Sequence, residues 1–296
     1  MPCYRPIQGW RSKTLNETGR RSIVFKKQDA YEPLLTSPLE IPCGRCIGCK
    51  LERSRQWAIR CVHEASLHDE NCVLTLTYDD DHLPADGSVD VTEFQRFMKR
   101  LRKHFTGQKI RFLHCGEYGD EGGRPHYHAC IFGINFDDKK FHKKSAKGDR
   151  LYTSETLQKL WPFGFCLIGS LTFESAAYVA RYITKKITGD KAEEHYQGRK
   201  PEYITMSRRP GLAKGWLEKY KTDVYPDDFV VINGKKIGVP KFYDNQLEEE
   251  ELKQYENKRI YKAYEQKENN TYSRLYVREQ IHEKRAQLLK RSFEND

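Results

Sequence analysis

Four runs of β-branched and apolar residues constrain this chain most: 72–78 (CVLTLTY), 110–118 (IRFLHCGEY), 125–134 (PHYHACIFGI) and 164–171 (GFCLIGSL). Each has the length and composition of a strand. A short Gly-rich turn (GDEGG) separates the second run from the third, so these two are expected to pair as an antiparallel hairpin. Helical periodicity fills the intervals. Phe94, Phe97, Met98 and Leu101 recur at helical spacing within 91–105, a shorter helix fits 153–161, and 174–188 (ESAAYVARYITKKIT) ends at Gly189. The order strand, helix, strand, strand, helix, strand, helix predicts an α+β fold: an antiparallel sheet with helices packed on one side.

The remainder is less periodic. Residues 1–42 are proline-rich and read as extended chain with a short strand at 22–26, and 50–68 as a helix. Residues 137–150 read as a basic loop, 206–220 as a turn and short helix, and 229–240 as a hairpin across Asn233-Gly234. From 247 to 293 the chain is charged and helix-prone. This suggests a Cys-rich N-terminal segment and helix (1–70), a main domain with an extension (71–240) and a charged helical tail (241–296).

The formal net charge is +10, from 52 Lys and Arg against 42 Asp and Glu. By count, residues 244–296 hold 11 basic and 12 acidic groups, so the excess lies wholly in 1–243. A basic body suggests a polyanionic partner, most often nucleic acid. No apolar run is long enough to span a membrane. The start, MPCYRPIQGWRSK, lacks an apolar signal core, so a cytoplasmic protein with reduced thiols is expected despite nine cysteines.

His126 and His128 flank Tyr127 in the third run. Strand side chains alternate faces, so the two imidazoles point the same way, about 6–7 Å apart, and can chelate one ion. Glu117 ends the preceding run and reaches the same face if the two strands pair across the turn. Two imidazoles and one carboxylate suit Mn²⁺ or Zn²⁺, and acceptably Mg²⁺. They leave coordination positions open, as catalysis needs.

On a helical wheel of 174–188, Ala176, Val179, Ala180, Ile183 and Ile187 form the core-facing arc. Tyr178, Arg181, Tyr182, Lys185 and Lys186 fall opposite, which predicts two exposed tyrosines one turn apart among three cations. Nearby positive charge lowers a phenol pKa and stabilises charge developing on a phosphate under attack.

Cys43-x-x-Cys46-x-x-Cys49 has the spacing of a metal site, with Cys3 or Cys61 as fourth ligand and Cys3 slightly favoured. A structural Zn²⁺ is expected, and iron–sulfur ligation uses similar spacing. Cys72, Cys115, Cys130 and Cys166 fall in strands and read as small core residues.

Three blocks in order resemble the HUH endonucleases: LTLTYDD (74–80), RPHYHACIFG (124–133) and YVARYITKK (178–186). PCGRCIGCKLERSRQWAIRC (42–61), GEYG (116–119) and MSRRPG (206–211) are similar to the gokushovirus-type microvirus replication initiators. The resemblance implies a five-stranded antiparallel, RRM-like sheet with helices on its faces, the fifth strand coming from 22–26 or 202–206. It implies a catalytic Mg²⁺ or Mn²⁺ on Glu117, His126 and His128, and Tyr178 and Tyr182 as paired nucleophiles. Lys185 and Lys186 would assist them, and with Arg181 would contact DNA. The implied activity is origin-specific nicking and rejoining of single-stranded DNA in rolling-circle replication of a viral genome. Host helicase and DNA polymerase would act alongside in the bacterial cytoplasm. Two alternatives remain at this point: a non-enzymatic, zinc-dependent nucleic-acid binder, and a relaxase or transposase of the same chemistry.

Overall fold

The computed structural model describes all residues except 1–2, 18, 20, 33–37, 120–121, 146–147, 182–186, 188–190 and 288–296. Its strands are β1 (Ile7–Leu15), β2 (Arg21–Val24), β3 (Leu39–Ile41), β4 (Asn71–Leu76), β5 (Arg111–Tyr118), β6 (Pro125–Phe132), β7 (Lys140–Lys144), β8 (Arg150–Thr153), β9 (Cys166–Gly169), β10 (Tyr203–Met206), β11 (Phe229–Ile232) and β12 (Lys235–Gly238). Its helices are α1 (Ile47–Ala65), α2 (Val91–His104), α3 (Glu155–Leu160), α4 (Phe173–Arg181), α5 (Lys191–Tyr196), α6 (Lys214–Val224), α7 (Lys241–Asp244), α8 (Glu249–Glu265) and α9 (Tyr272–Gln287). The chain forms two compact units, one within residues 1–52 and 257–289, the other within 53–256.

The larger unit is built on a sheet of order β10-β5-β6-β4-β9-β8-β7, with every neighbouring pair antiparallel. It therefore has seven strands where five were expected. The 202–206 segment supplies β10, which pairs with β5, whereas the 22–26 region forms β2 in a separate three-stranded sheet of order β2-β1-β3. Of the additional strands, β7 lies within the basic stretch 137–150 read as a loop, and β8 begins at its last residue. β7 reads KFHKK with four of its five residues exposed, so it shows no apolar alternation. Lysines at a sheet margin resist pairing with another chain. That protection also erases the sequence signal of a strand.

Alternation along the central strands gives the sheet two apolar faces, and helices cover both rather than one. On one face Leu74, Leu76, Tyr127, Ala129 and Ile131 pack with Phe94, Phe97 and Leu101 of α2 and with Trp161. The spacing of those α2 residues places them on one stripe. Asp90 caps the helix by accepting a hydrogen bond from the Thr92 N–H at 2.8 Å, and Arg102, Lys103 and His104 occupy the last turn, where cations oppose the helix dipole. On the other face Val73, Leu113, Cys115, Cys130 and Phe132 meet Ala58 and Cys61 of α1 and Ala176 and Val179 of α4. Each large side chain fully buried in these layers contributes about 1.5–3 kcal/mol. Cys72, Cys115, Cys130 and Cys166 are buried, as their strand positions predicted.

The hairpin across Asn233-Gly234 forms as read. Both turn residues have positive φ (50° and 74°), the geometry that matches the twist of the flanking strands. The tail is helical as α8 and α9.

Candidate functional site

The β5–β6 hairpin fixes the first part of the site. Gly119 N–H donates to Arg124 O at 2.9 Å, and Gly122 and Gly123 take the positive φ values (77° and 60°) that bring the two strands back into register. That register sets Glu117 opposite His126 and Cys115 opposite His128. β4 lies on the other side of β6 and sets Thr75 opposite His128. Glu117, His126, His128 and Thr75 thereby share the sheet face covered by α1 and α4. Tyr127 points through to the opposite core, where its hydroxyl donates to Asp90 O at 3.1 Å.

His126 Nε2 lies 3.0 Å and His128 Nε2 2.8 Å from the same Glu117 carboxylate oxygen. The three ligand atoms are all within 4.8 Å of one another. Glu117 is fully buried, and burial alone would raise its pKa; the two imidazoles outweigh that and hold it at about 2. His126 Nδ1 is 3.1 Å from the Arg124 carbonyl oxygen. A carbonyl only accepts, so Nδ1 carries a hydrogen. Neutral imidazole would then aim its Nε2 lone pair at a carboxylate, which is repulsive unless a proton or cation lies between. The donor set thus fits a divalent cation, with three N and O ligands converging from a rigid sheet.

Thr75, which sequence reasoning passed over, orients the second histidine through a 3.0 Å contact between Oγ1 and His128 Nδ1. Outer partners of this kind tune ligand orientation and basicity. Thr75→Val is expected to weaken divalent-ion binding by about 10–100-fold while leaving the fold intact, measured by calorimetric titration of Mn²⁺.

Tyr178 departs from the wheel. It is 4% exposed rather than solvent-facing, and its ring stands edge-on to His128 with centroids 5.2 Å apart. Ala176 and Ala180 are small, so α4 lies close to the sheet and the longer Tyr178 side chain reaches the histidine face. Ser54 Oγ donates to Ala177 O at 2.7 Å and fastens α4 to α1. The Arg181 guanidinium carbon is 5.7 Å from the centre of the Tyr178 ring. Tyr182, Lys185 and Lys186 lie outside the described residues.

In the smaller unit, the Sγ atoms of Cys3, Cys43, Cys46 and Cys49 all lie within 4.8 Å of one another. Cys61 is fully buried beneath the large sheet and belongs to that core, so Cys3 completes the group of four.

The GEYG segment also has a packing role. A Cβ at Gly116 would lie 2.7 Å from the Tyr203 ring and 3.1 Å from the Tyr127 ring, so only glycine lets β10 close against β5 here.

Residues 71–187, which begin at β4 and include α4, match the family model described as replication-associated protein ORF2/G2P. The replication-associated protein VP4 of Bdellovibrio phage phiMH2K is 36% identical over 253 residues, covering 83% of this chain and 76% of the relative. ORF2 of Spiroplasma virus 4, also a replication-associated protein, is 34% identical over 265 residues, or 84% of this chain and 81% of its own length. The chain belongs to the family of gokushovirus-type phage replication initiators. No solved structure matches it. Among the described residues no helix is long and apolar enough to cross a membrane.

Proposed function

We propose that this replication protein nicks one strand of origin DNA through a covalent tyrosine–phosphate linkage and later rejoins it, starting rolling-circle synthesis. The convergence of Glu117, His126 and His128 beneath the Tyr178 ring carries this reading. Residues 71–240 form the HUH-type nicking domain. Glu117, His126 and His128 would hold a Mg²⁺ or Mn²⁺ ion, which when bound polarises the scissile phosphate.

Tyr178 or Tyr182 attacks phosphorus through its phenolic oxygen. As that bond forms, the bond to the 3′ oxygen breaks. The phenol gives up its proton, the 3′ oxygen gains one, and the 5′ phosphate stays on the tyrosine. The ester conserves the energy of the broken phosphodiester. The released 3′ hydroxyl primes a host DNA polymerase, with a host helicase opening the duplex. Once the origin is regenerated, the other tyrosine cuts again. The freed 3′ hydroxyl attacks the first phosphotyrosine, restoring the phenol and closing a circle. Arg181, Lys185 and Lys186 supply positive charge to the phosphates. Cys3, Cys43, Cys46 and Cys49 hold a structural zinc. The setting is the cytoplasm of a bacterial host.

The test is incubation of a labelled single-stranded origin oligonucleotide with Mn²⁺ or Mg²⁺, followed by denaturing electrophoresis. A protein–DNA adduct is expected, and chelation or His128→Ala should lower its rate at least about 100-fold. Binding without any adduct would instead favour the non-enzymatic binder.

A further inference from the structure

We infer that the metal at the four cysteines is a clamp that holds α9 against the N-terminal segment, making the union of the two chain ends metal-dependent. This rests on reading the cysteines as a zinc site and goes beyond it. Cys3 Sγ and Cys46 Sγ are 3.9 Å apart. Thiolates bound tetrahedrally to one zinc at about 2.3 Å would be about 3.8 Å apart. A cluster of several irons would spread its thiolates farther.

The backbone is also arranged for thiolates. The N–H of Tyr4 donates to Cys46 Sγ, that of Cys43 to Cys3 Sγ, that of Cys46 to Cys43 Sγ and that of Cys49 to Cys46 Sγ, at 3.2–3.5 Å. Such donors favour the charged sulfur that a metal binds.

The link to α9 runs through the two residues that follow Cys3. Tyr4 is 3% exposed; its hydroxyl is 2.7 Å from His282 Nδ1, and its ring packs with Leu275 and Cys46. Arg5 Nε donates to Glu279 Oε2 at 2.8 Å, and the Glu279 side chain is only 2% exposed. Leu275, Glu279 and His282 recur at helical spacing, so α9 turns one stripe to this tripeptide. Cys3 fixes this segment through its sulfur, and Tyr4 and Arg5 pass the constraint to a helix more than 270 residues away in sequence.

The test uses the full-length chain carrying His128→Ala, so that zinc is counted at the cysteines alone. About one zinc per chain is expected, and cobalt substitution should give the intense absorption of tetrahedral thiolate ligation. Hydrogen–deuterium exchange before and after chelation should show the α9 amides exchanging at least about tenfold faster without metal, while β4, β5 and β6 keep their protection. Arg5→Ala should keep the zinc yet loosen α9. If α9 protection survives complete loss of zinc, the clamp is wrong although the site stands. If the purified chain holds no zinc, or iron in its place, the zinc site itself is overturned. Neither result bears on nicking.

Discussion

The Tyr178→Phe/Tyr182→Phe double variant is expected to form no covalent adduct with origin DNA, a loss on the order of 10⁴-fold or more. Phenylalanine preserves the edge-on ring contact with His128 and deletes only the hydroxyl. The ligand cluster should therefore still bind Mn²⁺ and the fold should be kept, which titration and circular dichroism would check. Loss of a nucleophile removes the covalent route altogether, whereas loss of a positioning group only slows it. Using both substitutions together makes the outcome independent of which tyrosine attacks first. Each single variant should still cut, because one phenol remains, but should fail to close circles, because rejoining needs the second cleavage. Adduct formation by the double variant would rule out this tyrosine pair. Wild-type circle closure by a single variant would rule out the two-tyrosine exchange.

Much of the candidate site was legible in the sequence, because strand periodicity and hairpin register are local. Alternation alone put His126 and His128 on one face, and the short Gly-rich turn put Glu117 opposite His126. Thr75 shares that face, but its contact with His128 depends on β4 lying beside β6, a pairing between strands about 50 residues apart. Nothing in LTLTY states which strand it joins. Tyr178 shows a different limit. A helical wheel ranks residues by angle and assigns the polar arc to water, but the small Ala176 and Ala180 bring α4 close enough to bury a tyrosine on the flank. In the sheet, β7 escaped because exposed lysines replace the apolar alternation, and β8, four residues reading RLYT, is too short to show a period. The sequence favoured Cys3 over Cys61 only slightly, whereas the fold puts Cys61 in the core beneath the large sheet.

Arg111→Met should cost about 3–5 kcal/mol of stability, the usual penalty for breaking a buried ion pair, and lower the midpoint of thermal unfolding by roughly 10 °C. The Arg111 and Glu64 side chains are 8% and 4% exposed, and Arg111 Nε donates to Glu64 Oε1. Arg111 Nη2 also donates to Pro210 O at 2.9 Å, and Glu64 Oε2 accepts from Ala213 N–H at 2.5 Å. The pair thus fastens β5, α1 and the segment leading into α6 at one point. Removing Arg111 leaves a buried carboxylate without its countercharge, and that uncompensated charge accounts for most of the cost. The Arg111→Met/Glu64→Gln double variant should recover at least half the loss, because the amide oxygen can still accept from Ala213 while no charge remains to desolvate. Burial pushes the Glu64 carboxyl up, but His68, the Ala213 N–H and Arg111 together hold it below its ordinary 4.5. A depressed carboxylate contributes stability that is complete above the ordinary value and is lost as pH falls through the lowered one. The gap between wild type and Arg111→Met should therefore be widest above pH 4.5 and narrow in stronger acid. A gap that stayed constant through this range would show that the Arg111 side chain acts by packing rather than by charge.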